Sequence, residues 1–102
     1  MPKHPCVYIL TNQRNGTLYT GVTGDIGARM ILHREGRGSK FAAKYGLTRL
    51  VWYEFHQDFG YAIAREKNIK AWRRAWKLRL IEATNPDWQD WFDTIAMWAP
   101  ID

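Results

Sequence analysis

The sequence has one cysteine, Cys6, so no disulfide can form within the chain. No stretch approaches the roughly 20 apolar residues that a membrane-spanning helix needs, and residues 1–10 lack the long apolar run of a secretory signal. Three further patterns are missing: a Cys/His zinc pattern, a glycine-rich phosphate loop and a Gly-x-Ser-x-Gly turn. We therefore expect a cytoplasmic protein without a membrane span or a zinc centre.

Acidic residues are scarce over most of the chain. The first 80 residues hold all fifteen Lys and Arg residues but only five acidic ones, whereas the last 22 hold five acidic residues and no basic ones. A body this basic favours a polyanionic partner such as nucleic acid. The alternative is a charged surface that only confers solubility.

The pattern of apolar residues predicts one small α/β domain over residues 1–102, a three-stranded mixed sheet flanked by helices. Runs of β-branched and aromatic residues predict the strands, and the Asn15-Gly16 turn predicts a hairpin of the first two. The third run is apolar on both faces, which is typical of a central strand. The strands are expected over residues 7–11, 17–23 and 50–55.

Capping residues and helical periodicity predict the helices. Asp25 caps a helix over about residues 26–34, and a short helix follows Ser39 as far as residue 44. From residue 61 to about 83, apolar residues recur at helical intervals, as one long helix or as two joined near residues 72–74.

The C-terminal segment, residues 84–102, is acidic and rich in tryptophan. We expect it to pack on the domain, with Trp88, Trp91 and Trp98 covering the core. The alternative is a surface that docks a partner protein.

Two tyrosines could take part in chemistry. Tyr8 and Tyr19 lie on the two strands of the predicted hairpin, where they could share one face. Gly21 follows Tyr19 by two residues, and a glycine within a strand often marks a bulge or a close approach. The alternative, which the pattern alone favours, is that both tyrosines are core residues.

Arg29 and His33 are four residues apart on the first predicted helix and so share a face. Together they suit a phosphate site, since one is a bidentate cation and the other titrates near neutrality. Glu66 lies one turn from two apolar positions, so it needs a cation or water. It could bind a metal or simply pair with Lys70 at i, i+4.

Basic residues are dense on the helical stretch that begins at residue 61, where two tryptophans interleave with them. Such runs can follow a phosphate backbone, although they can also form a solvated face. The candidate DNA-binding residues are Lys40, Lys44, Lys67, Lys70, Arg73 and Arg74.

Taken together, these residues resemble the GIY-YIG nuclease superfamily. Its two namesake segments stand here as Cys6-Val7-Tyr8 and Tyr19-Thr20-Gly21, and residues 64–72 resemble the segment bearing the family's metal-binding glutamate. The resemblance covers roughly residues 5–90. Within the superfamily, the chain is most similar to small stand-alone bacterial members related to the Slx1-type nuclease domain. One departure is Leu78, which stands where many members carry an asparagine.

The resemblance implies a metal-dependent endonuclease that cuts DNA with little sequence specificity, in repair or recombination. It implies that Tyr8 deprotonates the attacking water with help from His33 or from the charge of the metal. It also implies that Arg29 contacts the scissile phosphate, that Tyr19 contacts that phosphate or orients the water, and that Glu66 holds Mg²⁺ or Mn²⁺. A DNA-binding module with faint or lost catalysis that needs a partner is the alternative. The protein is expected to be a monomer or a weak dimer.

Overall fold

The centre of the fold is a three-stranded sheet, seen in a computed structural model that describes residues 4–98, with side chains described as far as residue 95. The strands are β1 (Cys6–Thr11), β2 (Leu18–Thr23) and β3 (Arg49–Phe55), in the order β2-β1-β3. The predicted hairpin of the first two strands is confirmed, with Tyr8 opposite Gly21. β1 is buried along its whole length, because it lies between two strands and between two layers of helices.

Two sequence expectations about the sheet are wrong. The sheet is antiparallel in both of its pairs rather than mixed, since β1 lies between β2 and β3 and runs opposite to each of them. β3 is an edge strand rather than a central one. Its apolar residues point to both faces because Leu50 packs in one core cluster while Val51 and Trp52 pack in the other.

Five helices surround the sheet: α1 (Ile26–Arg34), α2 (Lys40–Tyr45), α3 (Phe59–Ala71), α4 (Arg74–Thr84) and α5 (Phe92–Trp98). The predicted caps act as expected, since Asp25 accepts a hydrogen bond from the backbone of Ala28 and Ser39 accepts one from Ala42. The helix α3 begins two residues before the predicted start, because Asp58 caps it in the same way. None of the helices in the described part of the chain is long and apolar enough to span a membrane.

The long helical stretch is two helices. Trp72 and Arg73 interrupt it with extended backbone, at ψ 150° and 152°. The interruption redirects the chain, and Trp72 and Trp76 meet edge to face across it, with ring centroids 6.1 Å apart. The second of the two sequence alternatives is therefore the correct one.

Alternation along the strands divides the core between the two faces of the sheet. One cluster contains Tyr8 with residues of α1, α2 and α5. The other contains Val7 and Ile9 with residues of α3 and α4. Tyr8 therefore faces α1, and its two neighbours in sequence face α3.

The segment after α4 is attached to the sheet by polar side chains. The Asn85 side-chain amide is buried and donates to the carbonyls of Val51 and Gln89. Trp88 is fully buried, and its indole N–H donates to Glu82. Trp91 packs against the cluster that contains Tyr8; the side chain of Trp98 lies outside the described residues.

Candidate active site

The candidate site is built around the hydroxyl of Tyr8. The Tyr8 side chain is 1% exposed, and its hydroxyl oxygen lies 3.0 Å from Nε2 of His33 on α1. The Tyr19 ring contacts both, with centroids 6.3 Å from Tyr8 and 5.7 Å from His33. The expectation that the two tyrosines share one face of the hairpin is confirmed.

Gly21 makes room for the Tyr8 hydroxyl. The two residues are direct partners across the hairpin, and a Cβ on Gly21 would lie 2.5 Å from the Tyr8 oxygen. Gly21 thus marks a close approach, as the sequence indicated, and the group that approaches is Tyr8 itself. The phenol therefore reaches over β2, the outer strand on this side of the sheet.

We expect Gly21→Ala to destabilise the protein and to displace the Tyr8 hydroxyl. The added methyl group would overlap the phenol, and an overpacked core costs about 1–3 kcal/mol in the free energy of unfolding. Urea denaturation measures this cost. Gly60→Ala in the first turn of α3 is the control, because its Cβ meets only the Asp58 carboxylate, at 3.1 Å. Equal stability of Gly21→Ala and wild type would contradict the close approach.

His33 is held from both sides. Its side chain is 3% exposed, Tyr8 contacts Nε2, and a Cβ on Gly38 would lie 2.5 Å from Nδ1. Nδ1 is buried and has no hydrogen-bond partner among the described residues. The glycine after α1 therefore lets the backbone close over the imidazole and shield it from water.

Burial sets the protonation of this pair. Desolvation raises the pKa of Tyr8 well above its usual range, with Tyr19 adding to the rise and the positive charge of Arg29 opposing it. Desolvation also lowers the pKa of His33, and Arg29 lowers it further. At neutral pH, Tyr8 is thus a phenol and His33 a neutral imidazole. In the tautomer with hydrogen on Nδ1, Tyr8 donates to Nε2.

Glu66 lies on the other side of the sheet. It shares a face of α3 with Ala62 and Ile69, which pack in the cluster of Val7 and Ile9. Its side chain is 12% exposed, and its carboxylate lies 2.7 Å from the ammonium group of Lys70. The structure therefore joins Tyr8, Tyr19 and His33 directly, whereas Glu66 has a lysine as its observed polar partner.

Comparison with known proteins gives the family of the chain. The sequence model of the GIY-YIG catalytic domain matches residues 4–79. The chain belongs to the GIY-YIG family. A UPF0213 protein of Staphylococcus epidermidis is 38% identical over 82 residues, which cover 80% of this chain and 98% of that protein. A UPF0213 protein of Staphylococcus aureus is 38% identical over 68 residues, which cover 67% of this chain and 83% of that one.

A solved structure supports the fold of this GIY-YIG domain. The solution NMR structure of the UPF0213 protein BH0048 from Bacillus halodurans aligns with a TM-score of 0.54 and 29% identity. The alignment covers 85% of this chain and 92% of that one. The structural alignment therefore includes most of the chain and is not limited to the sheet and α1. The family is one of nuclease domains, so an endonuclease type of function follows from membership.

GIY-YIG nucleases generally use a divalent metal. Within residues 4–95 no cluster of three or more His, Cys, Asp or Glu side chains could enclose a metal ion. A single, largely buried carboxylate such as Glu66 still suits Mg²⁺. This ion keeps several of its waters and is bound by one or two carboxylates together with substrate phosphate. The donor set therefore fits a metal that binds together with DNA and weakly without it.

The six predicted DNA-binding side chains of this GIY-YIG domain are all exposed, but two of them form hydrogen bonds or an ion pair within the fold. Arg74 donates to the carbonyls of Asn15 and Gly16 in the hairpin turn, both at 2.7 Å. Lys70 pairs with Glu66. The other four, Lys40, Lys44, Lys67 and Arg73, form no salt bridge with the described residues.

The structure agrees with the sequence about the missing asparagine, and it adds one residue that sequence reasoning missed. Leu78, at the position of the family's asparagine, is half-buried against the cluster of Val7 and Ile9, and the nearby Asn85 is occupied with backbone carbonyls. Neither offers a polar group to a phosphate. Gly38 was overlooked, although a glycine shortly after a helix that carries a candidate histidine could have indicated a close approach.

Proposed function

We propose that this protein is a divalent-metal-dependent DNA endonuclease that hydrolyses phosphodiester bonds with little sequence specificity, in DNA repair or recombination. The observation that supports it best is the hydrogen bond between the buried Tyr8 hydroxyl and His33. It supplies a proton acceptor for a phenol whose own pKa is too high to ionise alone. A buried hydroxyl needs a hydrogen-bond partner in any case, and a neutral imidazole is a partner that can also accept its proton.

The proposed hydrolysis needs two linked proton transfers. As the water oxygen forms its bond to phosphorus, the water proton passes to the Tyr8 oxygen, and the Tyr8 proton passes to Nε2 of His33. The bond between phosphorus and the leaving oxygen then breaks, and that oxygen takes a proton from solvent. Because His33 is neutral at pH 7, it can receive the proton, which completes the balance.

Arg29 and Tyr19 are proposed to act on the phosphate. Arg29 shares a face of α1 with His33, and its charge acts on both Tyr8 and His33. A guanidinium in that position offsets the negative charge that develops on the phosphate oxygens. Tyr19 is less buried than Tyr8, so its hydroxyl can donate to a phosphate oxygen that reaches the cluster.

Glu66 is proposed to hold the metal, Mg²⁺ in the cell or Mn²⁺ in an assay. A metal held there would polarise the phosphate and would stabilise negative charge on the leaving oxygen. The proposal requires the Glu66 carboxylate to approach the Tyr8 hydroxyl around β2, the strand over which that hydroxyl reaches and which α3 also contacts. Lys70 must then release the carboxylate to the metal.

DNA is proposed to bind through its backbone, so we expect affinity to fall steeply with salt. If four basic side chains contact phosphates, raising salt from 50 to 200 mM should weaken binding to duplex DNA about 100-fold. Fluorescence anisotropy in EDTA measures this without cleavage. An unrelated duplex of equal length should bind with the same slope, since backbone contacts carry no sequence information. Equal affinities at the two salt concentrations would contradict backbone binding.

The test of the proposed activity is cleavage of labelled single-stranded, duplex, flap and four-way-junction DNA in Mg²⁺, Mn²⁺ and EDTA. Cleavage in either metal but not in EDTA supports the proposal and identifies the preferred substrate. Binding of every DNA without cleavage of any would instead support a DNA-binding module. Burial would raise the pKa of Tyr8 in such a module as well, so that pKa does not distinguish the two functions.

A further inference from the structure

An open groove lies at the joint between α3 and α4, away from the Tyr8 hydroxyl and on the side of the sheet that α3 covers. It encloses about 450 Å³ and is lined by Trp72, Trp76, Arg79 and Leu80. Trp76 is 46% exposed although it is a large apolar side chain. The groove is open on its outer side, so Trp76 presents aromatic surface to solvent.

Positive charge surrounds this aromatic surface. The guanidinium of Arg73 lies over the Trp76 ring, 5.3 Å from its centroid, and that of Arg65 lies 5.4 Å from the centroid of Trp72. Residues 59–81 contain seven basic side chains and one acidic side chain, and that acid, Glu66, is already paired with Lys70. The groove is therefore apolar at its base and cationic at its rim.

The groove is also held in shape before any ligand binds. Glu54 accepts hydrogen bonds from Arg65 at 3.0 and 3.4 Å, which fixes that guanidinium against Trp72. Trp72 packs in the core below. Trp72 and Trp76 lie at 77° to each other, so a flat ring stacked on one of them would meet the edge of the other.

We propose that this groove binds unstacked nucleobases of single-stranded DNA, with the adjoining phosphates on the basic side chains of α3 and α4. Flat π-faces flanked by cations are the features that bind single strands without sequence preference, because every base can stack and every nucleotide carries a phosphate. The phosphates of duplex DNA can bind the basic rim. Its bases are stacked on each other, so they have no free face for the tryptophans to stack on. The inference rests on the proposed function in naming DNA, and it adds that the substrate carries a single-stranded region.

The test separates stacking from charge. A fluorescein-labelled oligodeoxynucleotide is compared by anisotropy, in EDTA, with an abasic oligonucleotide of the same length and charge. Wild type should bind the base-bearing strand more tightly than the abasic one. Trp76→Ala should weaken binding of the base-bearing strand about 10-fold and leave that of the abasic strand unchanged. Trp76→Phe should restore part of the loss, since it keeps a π-face.

Two controls complete the test. Tyr61→Ala removes the most exposed of the large apolar side chains, on α3 but outside the groove, and should bind both strands like wild type. Thermal denaturation must show that Trp76→Ala is folded, which its exposed position favours. Equal affinity of wild type for both strands would overturn the inference, and so would a dimer that Trp76→Ala dissociates in light scattering. Cleavage is measured separately in Mg²⁺, so its absence would count against the proposed function and not against the groove.

Discussion

Glu66→Gln is expected to lose metal-dependent cleavage by about 10³-fold or more while it still folds and binds DNA. Glutamine keeps the size of the side chain and one acceptor oxygen but removes the negative charge that a divalent metal needs. A metal contributes several kcal/mol to the transition state of phosphate hydrolysis, and each 1.36 kcal/mol is tenfold in rate. Single-turnover cleavage at saturating DNA, in Mg²⁺ and Mn²⁺, measures the loss.

Lys70→Gln distinguishes metal binding from a plain ion pair. Glu66 and Lys70 are partners at 2.7 Å, so either substitution breaks the same pair. If the pair were merely structural, both variants would show the same small change, because ion pairs with one exposed partner contribute little. If Glu66 binds metal, Lys70→Gln keeps cleaving at saturating DNA and binds DNA more weakly. Full cleavage by Glu66→Gln would withdraw the metal role.

The local features of the fold were predictable because short stretches of sequence determine them. The Asn15-Gly16 turn and the flanking apolar runs fix the hairpin, and capping by Asp25 and Ser39 fixes the start of two helices. The order of the strands was not predictable in this way. Apolar residues on both faces of β3 show that helices cover both faces of the sheet. An edge strand and a central strand can both have this pattern, so the sequence alone does not give the position of β3.

The helix α5 was missed for a related reason. It has only seven residues, too few to form alone in water. It is held by distant groups: Asp90, just before it, accepts from the backbone N–H of Phe92 and Leu50 and pairs with Arg34. Such contacts join residues up to 56 positions apart, so no local sequence pattern predicts them.

The candidate site shows the same division. That Arg29 and His33 share a face follows from helical spacing, and that Tyr8 and Tyr19 share a face follows from strand alternation. The hydrogen bond between Tyr8 and His33 spans 25 residues and depends on how α1 packs on the sheet. The distinct surroundings of Glu66 depend on which face α3 covers. Sequence reasoning could name these residues but could not say which of them touch.

Tyr8→Phe is expected to lower the cleavage rate by about 10²–10⁴-fold, the usual contribution of a general base. The phenyl ring keeps the packing of the buried side chain, so the fold and DNA binding should remain. Removing the hydroxyl leaves Nε2 of His33 without its partner, which costs about 1–3 kcal/mol in the free energy of unfolding. Single-turnover cleavage and urea denaturation measure the two effects separately.

Tyr53→Phe is the matched control for Tyr8→Phe, because Tyr53 is the direct partner of Tyr8 on β3, the strand on the other side of β1. Its ring packs against Phe55 and Trp91, away from the contacts of Tyr8 with His33 and Tyr19. It should therefore cleave like wild type. Equal rates for Tyr8→Phe and wild type would mean that the attacking water loses its proton elsewhere, and the Tyr8–His33 pair would then be structural. A loss in Tyr8→Phe alone would assign the proton transfer to Tyr8, the phenol whose hydroxyl contacts the His33 imidazole.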